Sequence, residues 1–219
     1  MLHGILGAGG FAREVMPIAE TQLISSGLLK NSELVFVVDE PRHAEINGRR
    51  IISTDEFLAA KGDKYFNIAI ADSRVRERLA ELLLADGATP FAVRSNNVVV
   101  LAASQIGSGA ILCPFTTITS NARIGNFFHA NLYSYVAHDC VIGDYVTFAP
   151  GVKCNGRVVI EDHAYIGTGA IIKQGTDDRP LVVGHGATVG MGAVVTRSVD
   201  AGTTVVGNPA RPKGTVKSP

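Results

Sequence analysis

From residue 100 onward the apolar positions of the chain recur with a period of six: Val100, Ile106, Leu112, Ile118, Ile124, Ala130, Val136, Ile142, Phe148, Cys154, Ile160, Ile166 and Ile172. Two residues before most of them stands a small or β-branched side chain, such as Ser104, Ala110, Thr116, Ala122, Cys140 or Ala164. A hexapeptide period of this kind predicts a parallel β-helix, in which each repeat gives one short strand and three repeats close one triangular coil. Gly107, Gly125 and Gly143 follow one another at 18-residue intervals, as expected for equivalent corners of successive coils. After Ile172 the phase breaks, and the next members, Val183, Val189 and Val195, come five residues late. Residues 173 to 182, "KQGTDDRPLV", are therefore expected to leave a corner as a loop, and the coils to end near "VVGNPARPKG".

The first 95 residues follow a different pattern. "HGILGAGG" is a short apolar strand running into glycines, "FAREVMPIAETQL" is helical, and "ELVFVVDE" is a second strand ending in acid. "STDEFLAA" opens with Ser53 and Glu56 at capping-box spacing, and "YFNIAIADS" is a third strand. "RVRERLAELLLADG" follows as a helix expected to bury Val75, Leu79, Leu82 and Leu83, with Gly87 past its end. The expected architecture is a small Rossmann-like α/β domain over residues 1–95, then a β-helix over 96–219.

The composition narrows the function classes. Lys plus Arg equals Asp plus Glu at 20 each, so no broad field favours nucleic acid or an anionic membrane, and any phosphate must be bound locally. Three cysteines, Cys113, Cys140 and Cys154, form no CxxC pair and fit a reducing compartment. The N-terminal "MLHGILGAGGF" lacks the basic and long apolar regions of a signal peptide, and no stretch has the length of a membrane span. The expected location is the cytoplasm, with no membrane insertion.

Against the apolar ladder, "SYVAHDCVIGDY" (134–145) stands out. His138 lies two residues beyond the core position Val136 and should point outward at a corner, where it is either idle or a base. Histidine suits base chemistry because its ordinary pKa is roughly 6.5. Asp139 would orient the ring or raise its basicity. A zinc site is the competing reading, but His129, His138, His163 and His185 are not spaced by multiples of 18 and should not stack, so no metal is expected. Cys140 and Cys154 read as core rather than nucleophiles. In the first domain, "GAGGFARE" (7–14) offers a glycine turn at a helix start, where backbone N–H groups hold phosphate, and Asp39 ends the second strand where a ribose or base edge would be met. Together these point to nucleotide recognition, either of a dinucleotide or of a nucleotide sugar.

These stretches, with "FVVDE", "AIADSRVRERL", "APGVKCNGRVVIEDHAYIGTGAIIKQG", "VGMGAVVTRSV" and "VVGNPARP", resemble the nucleotide-sugar acetyltransferases that include bacillosamine-pathway N-acetyltransferases and sialic-acid O-acetyltransferase-like proteins. The resemblance implies a left-handed β-helix, a homotrimer with active sites between subunits, and acetyl-CoA lying in the groove between neighbours. It implies His138 as general base with Asp139 as its partner, and Asn131 near the acceptor. The cofactor groove maps to Thr147, Gly156, Thr168 and Met191, and Arg211 and Lys213 are candidates for its phosphates. The nucleotide-sugar pocket maps to Gly9, Gly10, Phe11, Asp39, Ala71, Asp72 and Arg76. Departures from the family pattern are Phe11 for histidine, Ala71 for glycine, Thr147 for a histidine present in some members, and Met191 for glycine. The implied reaction is direct acetyl transfer from acetyl-CoA to the amino group of a nucleotide-linked 4-amino-4,6-dideoxysugar, in a route to lipopolysaccharide or another glycan. The alternatives are O-acetylation of a sugar hydroxyl and a non-catalytic, nucleotide-binding β-helix.

Overall fold

The computed structural model describes residues 1–213. They fall into two compact units, one of residues 1–96 with 108–113, the other of 97–107 with the chain from 114 on.

The first unit is an α/β sheet. Its elements are β1 (Leu2–Leu6), α1 (Gly10–Ser25), β2 (Glu33–Val38), β3 (Glu45–Ile46), β4 (Arg49–Ser53), α2 (Thr54–Ala59), β5 (Lys64–Ile68), α3 (Ser73–Ala85) and β6 (Thr89–Pro90). The order across the sheet is β3-β4-β2-β1-β5-β6, with only β3 antiparallel to its neighbour. Strand order therefore reverses between β1 and β5, and the carboxyl ends of β1, β2 and β5 lie along one edge. Such a switch point is where open α/β sheets take their ligands. Ser53 caps α2 by accepting from the Glu56 N–H at 3.0 Å, as its spacing with Glu56 predicts.

Two features differ from the sequence reading. The β3–β4 hairpin was not anticipated, although Asn47-Gly48 joins it with φ of 50° and 72°, the left-handed pair that a tight hairpin turn uses. In α3 the buried face is Arg76, Leu79, Ala80 and Leu83, whereas Leu82 is 44% exposed. Leu79 and Leu83 lie one turn apart on the sheet side, and Leu82 is rotated off that stripe.

The second unit is the parallel β-helix, built from short strands stacked in three faces. The first face runs through Val99–Val100, Thr117–Ile118, Tyr135–Val136, Lys153–Cys154, Ile171–Ile172 and Val194–Val195. The second runs through Gln105–Ile106, Arg123–Ile124, Val141–Ile142, Val158–Ile160 and Leu181–Val183. The third includes His129–Ala130, Thr147–Phe148, Tyr165–Ile166, Thr188–Val189 and Thr204–Val206, and Arg211–Pro212 folds back antiparallel on the last of these. The ladder residues from Ile118 to Ile172 are buried, as are Val183, Val189 and Val195, while Val100 and Ile106 in the opening coil are half-buried. Cys140 and Cys154 lie in the interior with no exposed surface. In the first unit, burial pushes the Cys113 thiol up to about 12, far from the thiolate that nucleophilic chemistry needs.

The loop leaves the corner between the first and second faces. Val158 pairs with Leu181, so the register resumes at Leu181, and Leu181 and Val182 belong to a strand rather than to the loop. This insertion also revises the histidine spacing: His163 and His185 are 22 residues apart, yet their rings meet edge to face at 5.2 Å. Among the described residues no cluster of three or more His, Cys, Asp or Glu could hold a metal ion, and no helix is long and apolar enough to cross a membrane.

Corner chemistry explains the glycines. Gly107, Gly125 and Gly143 do stack, but none needs a positive φ. They are required by close approach: a Cβ on Gly125 would sit 2.3 Å from Asp144 Oδ1 and 2.7 Å from the Gly143 carbonyl carbon. Asp144 Oδ1 accepts from the Asn126 N–H at 2.6 Å, so the crowding atom is held in place. Gly125→Ala is expected to destabilise the protein by ~1–3 kcal/mol through overpacking, read as a lower Tm.

Candidate active site

His138 stands at the corner between the first and second faces, immediately after the Tyr135–Val136 strand. Its Nδ1 lies 2.7 Å from Asp139 Oδ2, and the two side chains are 42% and 39% exposed. With Asp139 ionised, Nδ1 carries the proton and donates it to the carboxylate, leaving the Nε2 lone pair free to act as a base. The Asp139 carboxyl is held below its ordinary range, first by the bond from His138 and next by one from Asn121 Nδ2 at 3.1 Å. The pair is formed by adjacent residues because Asp139 adopts φ of 58°, which turns its side chain back beside the ring. Aspartate tolerates that left-handed conformation better than most residues.

The imidazole is seated on the next coil. A Cβ on Gly156, 18 residues after His138, would lie 2.5 Å from His138 Cε1 and 2.6 Å from Nε2. Gly156 therefore supplies the floor for the ring, a role that spacing alone did not reveal. Beside it, Asn155 accepts from the Tyr135 hydroxyl at 2.8 Å and donates to the Ile172 carbonyl at 2.8 Å. Burial raises the Tyr135 pKa, which keeps that hydroxyl a donor.

The other expected cofactor residues are not at this corner. Thr147 is buried in the third face, and Thr168 and Met191 sit on successive coils at the corner between the third and first faces. Met191 is 82% exposed. Asn131 is at that same corner, with its Oδ1 accepting from the Leu132 N–H at 2.7 Å. One chain thus displays two separate sets, His138 with Asp139 and Gly156, and Asn131 with Thr147, Thr168 and Met191.

Cationic groups gather further along the His138 corner. The loop and the coil after it enclose a cavity of about 580 Å³ lined by Lys173, Arg179 and Arg197, with Asp178 as its one acid. Arg197 also lines a neighbouring cavity of about 180 Å³ with Arg211. Lys173, Arg179 and Arg197 were missed in the sequence because the loop lies outside the repeat and its cations are scattered. Lys213 is exposed, its N–H bonded to the Thr204 carbonyl at 2.7 Å.

In the α/β unit, Gly9, Gly10, Phe11, Asp39, Ala71 and Asp72 all lie at the carboxyl edge of the sheet, after β1, β2 and β5. Gly9 caps α1 and Gly10 opens it; a Cβ on either would meet nothing within 4 Å, and the first turn of α1 carries no acid. Gly7, at φ of 102°, is the glycine the turn itself requires. Asp39 accepts from the Thr54 hydroxyl at 2.9 Å and is otherwise exposed. Asp72 caps α3 by accepting from the Arg74 and Val75 N–H groups, at 2.9 and 3.1 Å. Arg76 is fully buried and donates to the Ile70 and Ala71 carbonyls, at 2.8 and 3.3 Å, so it shapes the loop that carries Ala71 and Asp72.

The chain resembles several known proteins. Residues 4–83 match the family model described as the PglD N-terminal domain. GDP-perosamine N-acetyltransferase of Escherichia coli O157:H7 is 56% identical over 186 residues, covering 84% of each chain. The chain belongs to this N-acetyltransferase family. The structure of WeeI from Acinetobacter baumannii AYE superposes with a TM-score of 0.93 at 56% identity, over 97% of this chain and all of the other. The acetyltransferase domain of PglB from Neisseria gonorrhoeae FA1090, solved with acetyl coenzyme A, gives 0.85 at 27% identity over 97% and 98% of the two chains. The coils are the left-handed parallel β-helix of this family.

Gly156→Ala offers a direct probe of the seat. Gly156 does not have a positive φ, so alanine is accepted by the backbone and Tm should change little. Displacing the ring should lower kcat by ~10- to 100-fold, measured by steady-state acetyl transfer.

Proposed function

We propose that this protein transfers the acetyl group of acetyl-CoA to the amino group of GDP-perosamine. The observation that carries this reading is the His138–Asp139 pair seated on Gly156, in a chain 56% identical to a GDP-perosamine N-acetyltransferase. The amine nitrogen attacks the thioester carbonyl carbon, a C–N bond forms, and the C–S bond breaks. His138 Nε2 takes the proton that the nitrogen loses and passes it to the departing CoA thiolate, so no covalent enzyme intermediate is needed. General-base help of this kind contributes ~10²- to 10⁴-fold. The Gly156 N–H, which has no partner among the described residues, is the proposed donor to the developing oxyanion, an interaction worth ~3 kcal/mol.

Residues 1–95 hold the nucleotide sugar in this reading, through the glycine turn and Asp39, and residues 96–219 carry out the transfer. The phosphates of CoA belong with Lys173, Arg179, Arg197 and Arg211, which line adjoining cavities. Because His138 and the Thr147, Thr168 and Met191 set occupy different sides of one triangular coil, a second copy completes each site, which fits a homotrimer. A cytoplasmic location suits the three free thiols and the soluble substrates.

Two measurements test this. Wild type should acetylate GDP-perosamine with acetyl-CoA, and His138→Asn should lose activity by at least ~10²-fold; wild-type turnover in the variant removes the base. Mixing inactive His138→Asn chains with inactive Thr168→Trp chains, after dissociation and reassembly, should restore activity. No recovery in reassembled oligomers removes the shared site.

A further inference from the structure

Asn121, Asp139 and Arg157 occupy the same corner of three successive coils, 18 residues apart, with φ of 61°, 58° and 56°. At the corner between the third and first faces the later coils place Gly151, Gly169 and Gly192 in this left-handed position. An arginine there works against its backbone preference, which directs attention to its side chain. Arg157 Nη2 lies 3.8 Å from Asp139 Oδ2, and its Nε donates to Asp177 in the inserted loop. The same loop is fastened to the floor of the site, since the Gly175 N–H donates to the Gly156 carbonyl at 3.0 Å. The Asp139 carboxylate is thus held from below by Asn121, from the side by His138, and from above by a guanidinium shared with a second carboxylate.

We infer that Asn121 and Arg157 are positioning residues for the His138 base, and that Asp177 sets how much of the Arg157 charge reaches it. Asn121 fixes the rotation of the Asp139 carboxylate, so that Oδ2 faces His138 Nδ1. Arg157 reduces the negative charge His138 experiences, and Asp177 offsets Arg157 in turn. The charged and ionisable groups placed against this chain of contacts are Asp139, Arg157 and Asp177. Cys140 and Tyr135 are the other titratable groups beside it, and both are turned to Asn155, through its backbone carbonyl and its side chain respectively. The inference rests on His138 being the base.

Its test is the pH dependence of kcat/KM at low ionic strength, for wild type, Arg157→Gln, Arg157→Lys, Asp177→Asn and Asn121→Ala. Removing the Arg157 charge strengthens the negative field at His138 and favours its protonated form, so the acid limb should move up by ~0.3–0.5 pH unit. Removing the Asp177 charge leaves Arg157 less compensated, so the limb should move down by a similar amount. Arg157→Lys keeps the charge and should restore the limb towards wild type. Asn121→Ala should lower kcat by ~3- to 10-fold with KM unchanged. If the Arg157–Asp177 pair only fastens the loop, breaking it from either end has the same effect; shifts of the same sign, or none, overturn the inference. That failure is distinct from failure of the base: an acid limb that depends on His138 but ignores Arg157 and Asp177 removes only the charge relay. His138→Asn with full activity removes the base, and the inference with it.

Discussion

Each coil of the β-helix is bonded through its backbone to the coil below at the ~4.8 Å spacing of neighbouring strands, and the register between coils does not drift. That constraint governs the second unit. A residue and its counterpart 18 positions later must share one location, so any side chain that turns along the helix axis is in contact with what stands there. His138 can lie flat only because its counterpart is Gly156, and Asp139 receives Asn121 and Arg157 because they are its counterparts on either side. The site is therefore not a set of residues converging from distant parts of the chain. It is a column, and its chemistry is written at a fixed interval in the sequence.

This is why so much could be read in advance. The inward ladder is apolar at every sixth residue, and a triangular prism of such coils has no other way to bury it. His138 could be recognised as outward because its phase excluded it from the core. The same periodicity hid other features. The Gly156 side of the His138 seat depends on two residues 18 apart being considered together, and neither is unusual alone. The meeting of His163 with His185 was obscured because the inserted loop offsets the count between them. Asn121 and Arg157 resemble ordinary surface polar residues until their left-handed backbone places them on Asp139.

The α/β unit was legible for a different reason. Its strands end in glycines or acids at the edge where the strand order reverses, so Gly9, Gly10, Asp39 and Asp72 could be placed at one edge from the βα pattern. What failed was finer. Leu82 belongs to the apolar spacing of α3 but lies outside its buried stripe, and the fully buried residue on that face is Arg76, whose charge disguises its place beneath the loop after β5. The β3–β4 hairpin was announced by Asn47-Gly48, a signal overshadowed by the charged residues around it.

The inserted loop has a consequence for how such a chain can vary. Register resumes at Leu181 as though the extra residues were absent, so lengthening or shortening the segment between Lys173 and Pro180 leaves every stacked rung in place. A deletion of one residue inside a strand has no such freedom, because it would turn buried isoleucines and valines to the outside of that coil. Changes of length are thereby channelled to the corner above His138, where they alter the reach of Asp177 and the shape of the cationic cavity. Descendants of this fold can diversify what they bind by editing one loop while inheriting the scaffold intact.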